Sequence, residues 1–380
     1  MFFSSDMECD VKKFIEACRK IFGKESKSGN WFKWVACVTL TIIAGAALLA
    51  FIVDPHYRYR LPRFYDTVFY EAYATAPRLL SDYEYDVLML GSSMARNFYI
   101  DDIEKTFNGK AFKIAAAGAS TYDLKTLFDT AAKAKGNKLK KMVYLLDIYA
   151  LNKTYKYCKD FDFMYDTDHK RDYLYLFGRQ TFSSMIYLIK RKMRPKGKRA
   201  LQAIPNLMFS TEHAKTRYSM QEVIGCAAVY EKIGHRQAKR RAGYEAVLKS
   251  ELLAIFDAHP EIDFTVIIPP YHLYSYCLSE RFGEADGLLQ QKTAVLKELL
   301  KRKNVRVFDF QCEENIVCNG NYFTDVQHFS STLARRILNC TVSGEFQLRT
   351  PAEIERNEAK LRKMIKDAMP QFYNDIGKKL

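Results

Sequence analysis

Twenty consecutive residues without a charged side chain constrain this chain more than any other feature of its sequence. The run extends from Trp34 to Val53. As a helix it would be about 30 Å long, which matches the hydrocarbon thickness of a bilayer. We therefore predict a transmembrane helix over 34–53, preceded by a cytoplasmic tail over 1–33.

A cleaved signal peptide is the competing interpretation of this run. The apolar stretch is longer than the hydrophobic region of a typical signal peptide, a long segment precedes it, and no small-residue cleavage site follows it. We favour an uncleaved single-pass anchor. Basic residues are somewhat more frequent before the run than after it, so the positive-inside rule predicts a cytoplasmic N-terminus and an extracytoplasmic main domain.

The net charge of +15 restricts the partners of that domain. Its densest basic block, 190–199, holds seven Lys and Arg in ten residues. An extracytoplasmic domain beside a bilayer would meet anionic lipid or glycan, so no nucleic acid partner is predicted. A solvated loop with no specific partner is the alternative, and the sequence leaves both open.

Cysteine and histidine patterns give little sign of metal or cofactor binding. Six of the nine cysteines follow the apolar run, and an oxidising compartment would permit bridges, most easily between Cys312 and Cys318. Free thiols are an equal alternative. No cysteine pair has CxxC spacing and the seven histidines are scattered, so we predict no metal and no cofactor.

Short apolar runs alternate with helical stretches after residue 86, which is typical of βα units and a mostly parallel sheet. We predict a connector over 54–85, an α/β domain over 86–345 and a helical C-terminal segment over 346–380. An aromatic, basic insertion over 149–239 is expected to form a lid or subdomain. The predicted strands are Asp86 to Leu90, Phe112 to Ala116, Met142 to Leu146, Phe264 to Ile268 and Arg306 to Phe310.

Two distant segments carry groups suited to nucleophilic catalysis. The first predicted strand ends on Gly91-Ser92-Ser93, and Asp325-Val-Gln-His328 lies near the C-terminus. A serine hydroxyl needs a neighbouring imidazole to take its proton, and the imidazole needs a carboxylate to fix its tautomer. We expect Ser93 to be the nucleophile, His328 its base and Asp325 the partner of that base.

These segments resemble the SGNH (GDSL-like) hydrolase family over 86 to about 340. In that family Gly-Asp-Ser ends the first strand, a glycine follows the second, Gly-x-Asn-Asp follows the third and Asp-x-x-His precedes the last helix. The resemblance implies a flavodoxin-like three-layer α/β/α fold with a five-stranded sheet. It also implies an oxyanion hole formed by the backbone amides of Ser93 and Gly118.

Two departures from the family pattern refine this expectation. Ser92 replaces the aspartate of the first element, and the third strand is followed by Asp147 without an asparagine. A serine there, an anchor and an aromatic insertion are similar to bacterial D-alanyl transfer and glycan O-acetylation proteins. That likeness implies a cell-envelope esterase or O-acyltransferase, which acts on acyl esters of a surface glycan or lipid-linked substrate, beside a multipass membrane acyltransferase.

Other interpretations remain open at this point. The missing asparagine would suit an SGNH-shaped scaffold that presents a substrate to a partner enzyme, and a structural single-pass protein with an unrelated α/β domain is a third possibility. Ser92, Asp147 and His272 are possible pocket residues. Asp147 is expected to bind a neighbouring amide rather than act in catalysis, and His272 to pack on tyrosines.

Overall fold

The computed structural model describes residues 27–61, 72–166, 168–190, 217–234 and 242–379. These residues divide into two compact units. The first contains 27–55 and 168–190, and the second contains 56–166, 217–234 and 242–379. The predicted insertion is therefore split between the two units, and most of the basic block, 191–199, lies outside the described residues.

The helices and strands follow in chain order, with a π-helical turn, Leu248–Leu253, between α9 and α10. The strands are β1 (Val87–Gly91), β2 (Ala111–Ala115), β3 (Lys141–Leu145), β4 (Asp263–Ile268), β5 (Val305–Asp309) and β6 (Gln347–Leu348). The helices are α1 (Lys27–Val53), α2 (Ala72–Asp82), α3 (Ile100–Phe107), α4 (Thr121–Lys135), α5 (Tyr157–Asp160), α6 (Asp172–Leu176), α7 (Arg179–Lys190), α8 (Met220–Lys232), α9 (Tyr244–Val247), α10 (Ala254–Ala258), α11 (Leu273–Arg281), α12 (Ala285–Leu299), α13 (Glu314–Val317), α14 (Ser331–Ser343) and α15 (Pro351–Gly377).

The first unit contains the long apolar helix α1, against which α6 and α7 pack. The segment Trp31–Val53 has a mean hydropathy of 2.5 and is long and apolar enough to cross a membrane, by length and composition alone. A buried hydrogen bond of 2.8 Å from the Tyr175 hydroxyl to the Asp54 carboxylate joins the end of α1 to α6.

The second unit is an α/β domain with a six-stranded, mostly parallel sheet in the order β2-β1-β3-β4-β5-β6. The α/β class and the mostly parallel sheet are confirmed, and each predicted strand lies within one residue of an observed one. The number of strands is six rather than five, because the two-residue β6 adds to β5 in antiparallel orientation. The sequence gives so short a strand no alternating pattern by which to recognise it.

Strand order and register place several loops at one edge of this sheet. The first five strands follow the order 2-1-3-4-5, in which the chain direction switches between β1 and β3 and ligands bind beyond the carboxyl ends. Gly91 at the end of β1 lies opposite Ala115 of β2 and Leu145 of β3. The segments that follow these three residues therefore leave the sheet side by side.

The connector and the C-terminal segment both pack on the α/β domain. Helix α2 of the connector contacts α4. Helix α15 begins with a capping box between Thr350 and Glu353 and buries an apolar stripe that includes Leu361, Ile365 and Phe372. It packs on α8, α11 and α12, so the compact unit continues beyond residue 345.

Candidate active site

Ser93 lies directly beyond the carboxyl end of β1, in a turn that requires glycine at position 91. A Cβ on Gly91 would lie 2.8 Å from Leu145 Cβ and 3.0 Å from Ala95 Cβ, closer than real side-chain atoms approach. Ser92 caps the short 3₁₀ helix Ser93–Ala95. The chain therefore turns sharply after a fully buried strand and leaves Ser93 half-buried at the sheet edge.

The structure brings Ser93, His328 and Asp325 together across 235 residues of sequence. Ser93 Oγ lies 2.7 Å from His328 Nε2, and His328 Nδ1 lies 2.7 Å from Asp325 Oδ2. The side chains of His328 and Asp325 are 32% and 27% exposed, so a ligand can reach them from solvent. Their contacts have the geometry of a nucleophile, a base and an orienting carboxylate.

Hydrogen bonds within the Asp325–His328 loop fix the orientation of the imidazole. Asp325 Oδ1 accepts the backbone amides of Gln327 and His328, both at 2.7 Å. Burial of Asp325 opposes its ionisation, but these amides and the His328 ring outweigh it and hold the pKa of Asp325 below its ordinary value. An ionised carboxylate only accepts, so Nδ1 carries the ring proton and Nε2 is left to accept the Ser93 hydroxyl.

Two backbone amides near Ser93 have the character of oxyanion donors. Within the described parts of the chain, neither the Ser93 amide nor the Gly118 amide donates a hydrogen bond. Gly118 follows β2, beside the turn that carries Ser93, and has φ +74°, a conformation that favours glycine. Both amides are thus available to a developing negative charge.

Tyr157 at the start of α5 is a residue that the sequence did not single out. Its hydroxyl would lie 3.3 Å from a Cβ built on Gly118, and it has no hydrogen-bond partner within the described residues. Its ring stacks on Tyr73 with centroids 4.8 Å apart, and the Tyr73 hydroxyl donates to the Ala117 carbonyl at 2.7 Å. The Tyr157 hydroxyl is therefore an unsatisfied donor held beside Gly118.

The position of α5 is set by the same loop that contains Gly118. Ser120 and Asp123 form the capping box of α4, and the second oxygen of the Asp123 carboxylate accepts the Cys158 amide at 2.8 Å. Asp123 thus ties α5 to the start of α4. Because this tie depends on tertiary packing, sequence spacing gives no sign of it; only the position of Tyr157, ten residues after Asp147, could have drawn attention to it.

Asp147 supports the turn around Ser92. Its Oδ1 accepts the Tyr149 amide at 3.0 Å and the Tyr271 hydroxyl at 2.5 Å, and its Oδ2 accepts the Ser92 hydroxyl at 3.3 Å. The carboxylate is buried at the carboxyl end of β3. The expected bond to a neighbouring amide is present, and Ser92 lies on the side of the turn that faces Asp147.

His272 lies at the carboxyl end of β4, inside the protein. Its ring packs edge-on against Tyr274 and Phe323, and its Nδ1 accepts the Tyr274 amide at 3.1 Å. Burial lowers the pKa of His272 to about 4. Its backbone amide donates to the Val326 carbonyl at 3.1 Å, so His272 supports the loop that carries His328.

Asn97 links the two halves of the site and also escaped the sequence analysis. Its side-chain amide donates to the Phe329 carbonyl at 2.5 Å and to the Tyr218 hydroxyl at 3.4 Å. Ser93 and His328 each lie within four residues of one end of this contact. A polar side chain one helical turn after the candidate nucleophile was the available signal.

Parts of the predicted insertion contact this site. Besides Tyr157 and Tyr218, helix α8 packs beside the Asp325 loop, where the Ser219 amide donates to the Phe323 carbonyl at 3.1 Å. The aromatic residues expected to form a lid belong to the first unit instead, so the covering of the site by them stays a prediction. They are Tyr173, Tyr175, Phe177, Phe182 and Tyr187.

A buried lysine fixes the segment between Ser93 and α3. Lys113 on β2 is fully buried, and its Nζ donates to the carbonyls of Arg96 at 3.0 Å and Phe98 at 2.5 Å. Burial, with a smaller effect of the Arg96 charge, lowers the pKa of Lys113 to about 7.

Lys113 predicts a pH dependence of stability. The folded chain binds fewer protons than the unfolded chain between about pH 7 and the ordinary lysine pKa of 10.5, so stability should rise with pH in this window and fall as pH drops towards 7. The slope from this group is at most about 1.4 kcal/mol per pH unit. Urea unfolding of full-length Lys113→Met in detergent at pH 7, 8 and 9 should lack this slope; parallel profiles for wild type and variant would contradict the assignment.

Cysteines, metal-type clusters and clefts elsewhere add no competing site. The described cysteines are free thiols, Cys312 and Cys318 included. No group of three or more His, Cys, Asp or Glu suited to a metal occurs in the described residues. A cleft of about 450 Å³ lies where β3, β4 and β5 begin, next to Lys141 and Arg306, at the sheet edge opposite Ser93.

Comparisons with protein-family models, with curated proteins and with solved structures found no match for this chain. Functional assignment therefore rests on the residues and geometry described above.

Proposed function

We propose that this protein is a membrane-anchored, SGNH-like serine esterase or O-acyltransferase. The observation that carries the proposal is the continuous contact from Ser93 Oγ through the His328 ring to Asp325 Oδ2, with both distances at 2.7 Å. A scaffold that only presents a substrate needs no such alignment. The same contact therefore supports an enzyme over the scaffold.

The proposed reaction proceeds through an acyl-enzyme. Ser93 Oγ attacks the acyl carbonyl carbon while His328 Nε2 takes the hydroxyl proton, and the carbonyl π electrons move onto oxygen. The Ser93 and Gly118 amides bind this oxyanion. Collapse of the intermediate expels the alcohol, which receives the proton from His328. Water or a sugar hydroxyl then attacks the acyl-enzyme by the same steps in reverse.

Tyr157 supplies the third oxyanion donor in this proposal. The family resemblance lacks its asparagine, whereas the Tyr157 hydroxyl lies beside Gly118 without a partner within the described residues. A phenol donates a neutral hydrogen bond as an amide does. Because its ring is held by Tyr73, the hydroxyl is positioned before the oxyanion forms, and preorganised donors contribute most to catalysis.

Tyr157→Phe is predicted to lower kcat by about 10²- to 10³-fold with little change in KM, because only the transition-state hydrogen bond is lost. Phenylalanine retains the stacking on Tyr73. Tyr155→Phe is the matched control, since that hydroxyl bonds Asp160 instead, and its kcat should stay at the wild-type level. Steady-state kinetics on an aryl acetate measure both, and a wild-type kcat in Tyr157→Phe would rule out the donor role.

The substrate class and topology of the proposal follow from the sequence resemblance and the apolar helix. The substrate is an acyl ester of a cell-envelope glycan or a lipid-linked precursor, and a multipass membrane acyltransferase is the proposed partner. The N-terminus lies in the cytoplasm and Ser93 outside it, at a bacterial-type membrane. Helices are proposed to cover both faces of the sheet in a flavodoxin-like three-layer arrangement.

Release of p-nitrophenol from p-nitrophenyl acetate by the full-length protein in detergent tests this function. Acylation of Ser93 should give a burst of one equivalent. Continued release indicates water as the second acceptor, and release that resumes only on addition of an oligosaccharide indicates a transferase. A protein that gives no burst and no turnover would contradict the proposal.

A further inference from the structure

The first unit exposes a group of large apolar side chains outside the apolar helix α1. Helices α6 and α7 bury one side, which includes Tyr175 and Met185. The exposed apolar side chains of this pair are Tyr173 (58% exposed), Leu174 (39%), Phe177 (48%) and Ile186 (53%). Single exposed apolar residues are ordinary, but four within fourteen positions of one short helical pair need an explanation.

The contacts of α6 place these side chains next to the end of the apolar helix. The buried positions in the last turn of α1 are Ala50 and Val53, and Asp54 directly after them accepts the Tyr175 hydroxyl. Tyr173 and Leu174 are the immediate neighbours of Tyr175. The exposed group therefore starts at the level where the uncharged run ends.

The exposed surface of α1 itself continues to that level. Leu48, Leu49, Phe51 and Ile52 in its last two turns are between 39% and 51% exposed. If this helix spans a bilayer, these side chains lie in hydrocarbon and the neighbouring Asp54 marks the headgroup region. Aromatic side chains together with basic ones are typical of that region, and α7 begins and ends with the exposed residues Arg179 and Lys190.

We propose that α6 and α7 form a membrane-surface element, which inserts Tyr173, Leu174, Phe177 and Ile186 into the headgroup region of the leaflet where α1 ends. Arg179 and Lys190 would contact lipid phosphates. The proposal rests on the membrane anchor of the proposed function, and it is independent of catalysis by Ser93. A second protein bound to the same face is the alternative that its test must separate.

Tryptophan quenching by brominated lipid tests this element in the full-length protein reconstituted in vesicles. The chain has two tryptophans, so Trp31→Phe with Trp34→Phe gives a background without tryptophan. Phe177→Trp and, separately, Ile186→Trp report on α6 and α7. Ile43→Trp reports on the middle of α1, and Tyr99→Trp reports on the second unit.

Phosphatidylcholine brominated near the headgroup end of its acyl chains should quench Phe177→Trp and Ile186→Trp strongly and leave Tyr99→Trp unchanged. Ile43→Trp should be quenched by deeply brominated lipid. Quenching at Ile43→Trp without quenching at either surface reporter would overturn the proposal and leave the anchor intact, also if a blue-shifted Phe177→Trp emission indicated cover by protein. Absence of quenching at Ile43→Trp would overturn the anchor and this element with it.

Discussion

Replacement of Ser93 by alanine is expected to lower acyl-ester turnover by on the order of 10⁴-fold or more, the largest effect of any single substitution in this chain. The hydroxyl is the only atom removed that would bond to the acyl carbon. Its loss leaves His328 without a proton to accept, although the oxyanion donors remain. Initial rates on an aryl acetate, for the full-length variant at matched concentration, measure the effect.

Ser92→Ala is the matched control for this substitution. The two serines are adjacent, but the Ser92 hydroxyl bonds Asp147 and caps the 3₁₀ helix, whereas the Ser93 hydroxyl bonds His328. Ser92→Ala should therefore retain most of the turnover while it lowers thermal stability slightly. A Ser93→Ala protein that stays active, or a Ser92→Ala protein that loses activity with an unchanged melting temperature, would contradict the assignment of the nucleophile.

Asp325→Asn is expected to lower turnover by about 10⁴-fold without disrupting the loop. Asparagine Oδ1 can still accept the amides of Gln327 and His328, which hold the loop in place. Its side-chain nitrogen, however, donates where the carboxylate oxygen accepted. The His328 ring must then accept at Nδ1 and carry its proton on Nε2, so it faces Ser93 as a donor and cannot act as a base.

Kinetics and melting temperature together check this prediction. Asp102→Asn serves as the control, because it changes a surface carboxylate that pairs with Arg335, far from any reacting group. The control should keep wild-type turnover. Wild-type turnover in Asp325→Asn would show that the carboxylate does not set the tautomer of His328.

The sheet was largely predictable from the sequence because its strands are short, apolar and bounded by turn residues. Helix α4 lies at the predicted residues 121–135, since Ser120 and Asp123 mark its start. The division of the insertion between two units was not predictable. It depends on long-range packing, such as the bond from Tyr175 to Asp54, for which no periodic pattern exists.

The candidate site shows the same contrast. Ser93 and His328 could be selected because strand ends and the Asp-x-x-His spacing are local features of the sequence. Tyr157, Asn97 and Lys113 were missed because their roles depend on which loops meet at the sheet edge. Each of the three bonds or faces backbone atoms of another segment, and such contacts leave no trace in local spacing.

Localisation of a fluorophosphonate adduct tests the central claim most directly. The full-length protein should take up one equivalent of the probe, and the tryptic peptide from Leu79 to Arg96 should carry it. That peptide contains Ser81, Ser92 and Ser93, so fragment ions assign the modified residue. The account predicts modification of Ser93 and its absence in Ser93→Ala; an adduct at another residue, or no adduct in the folded wild-type protein, would contradict it.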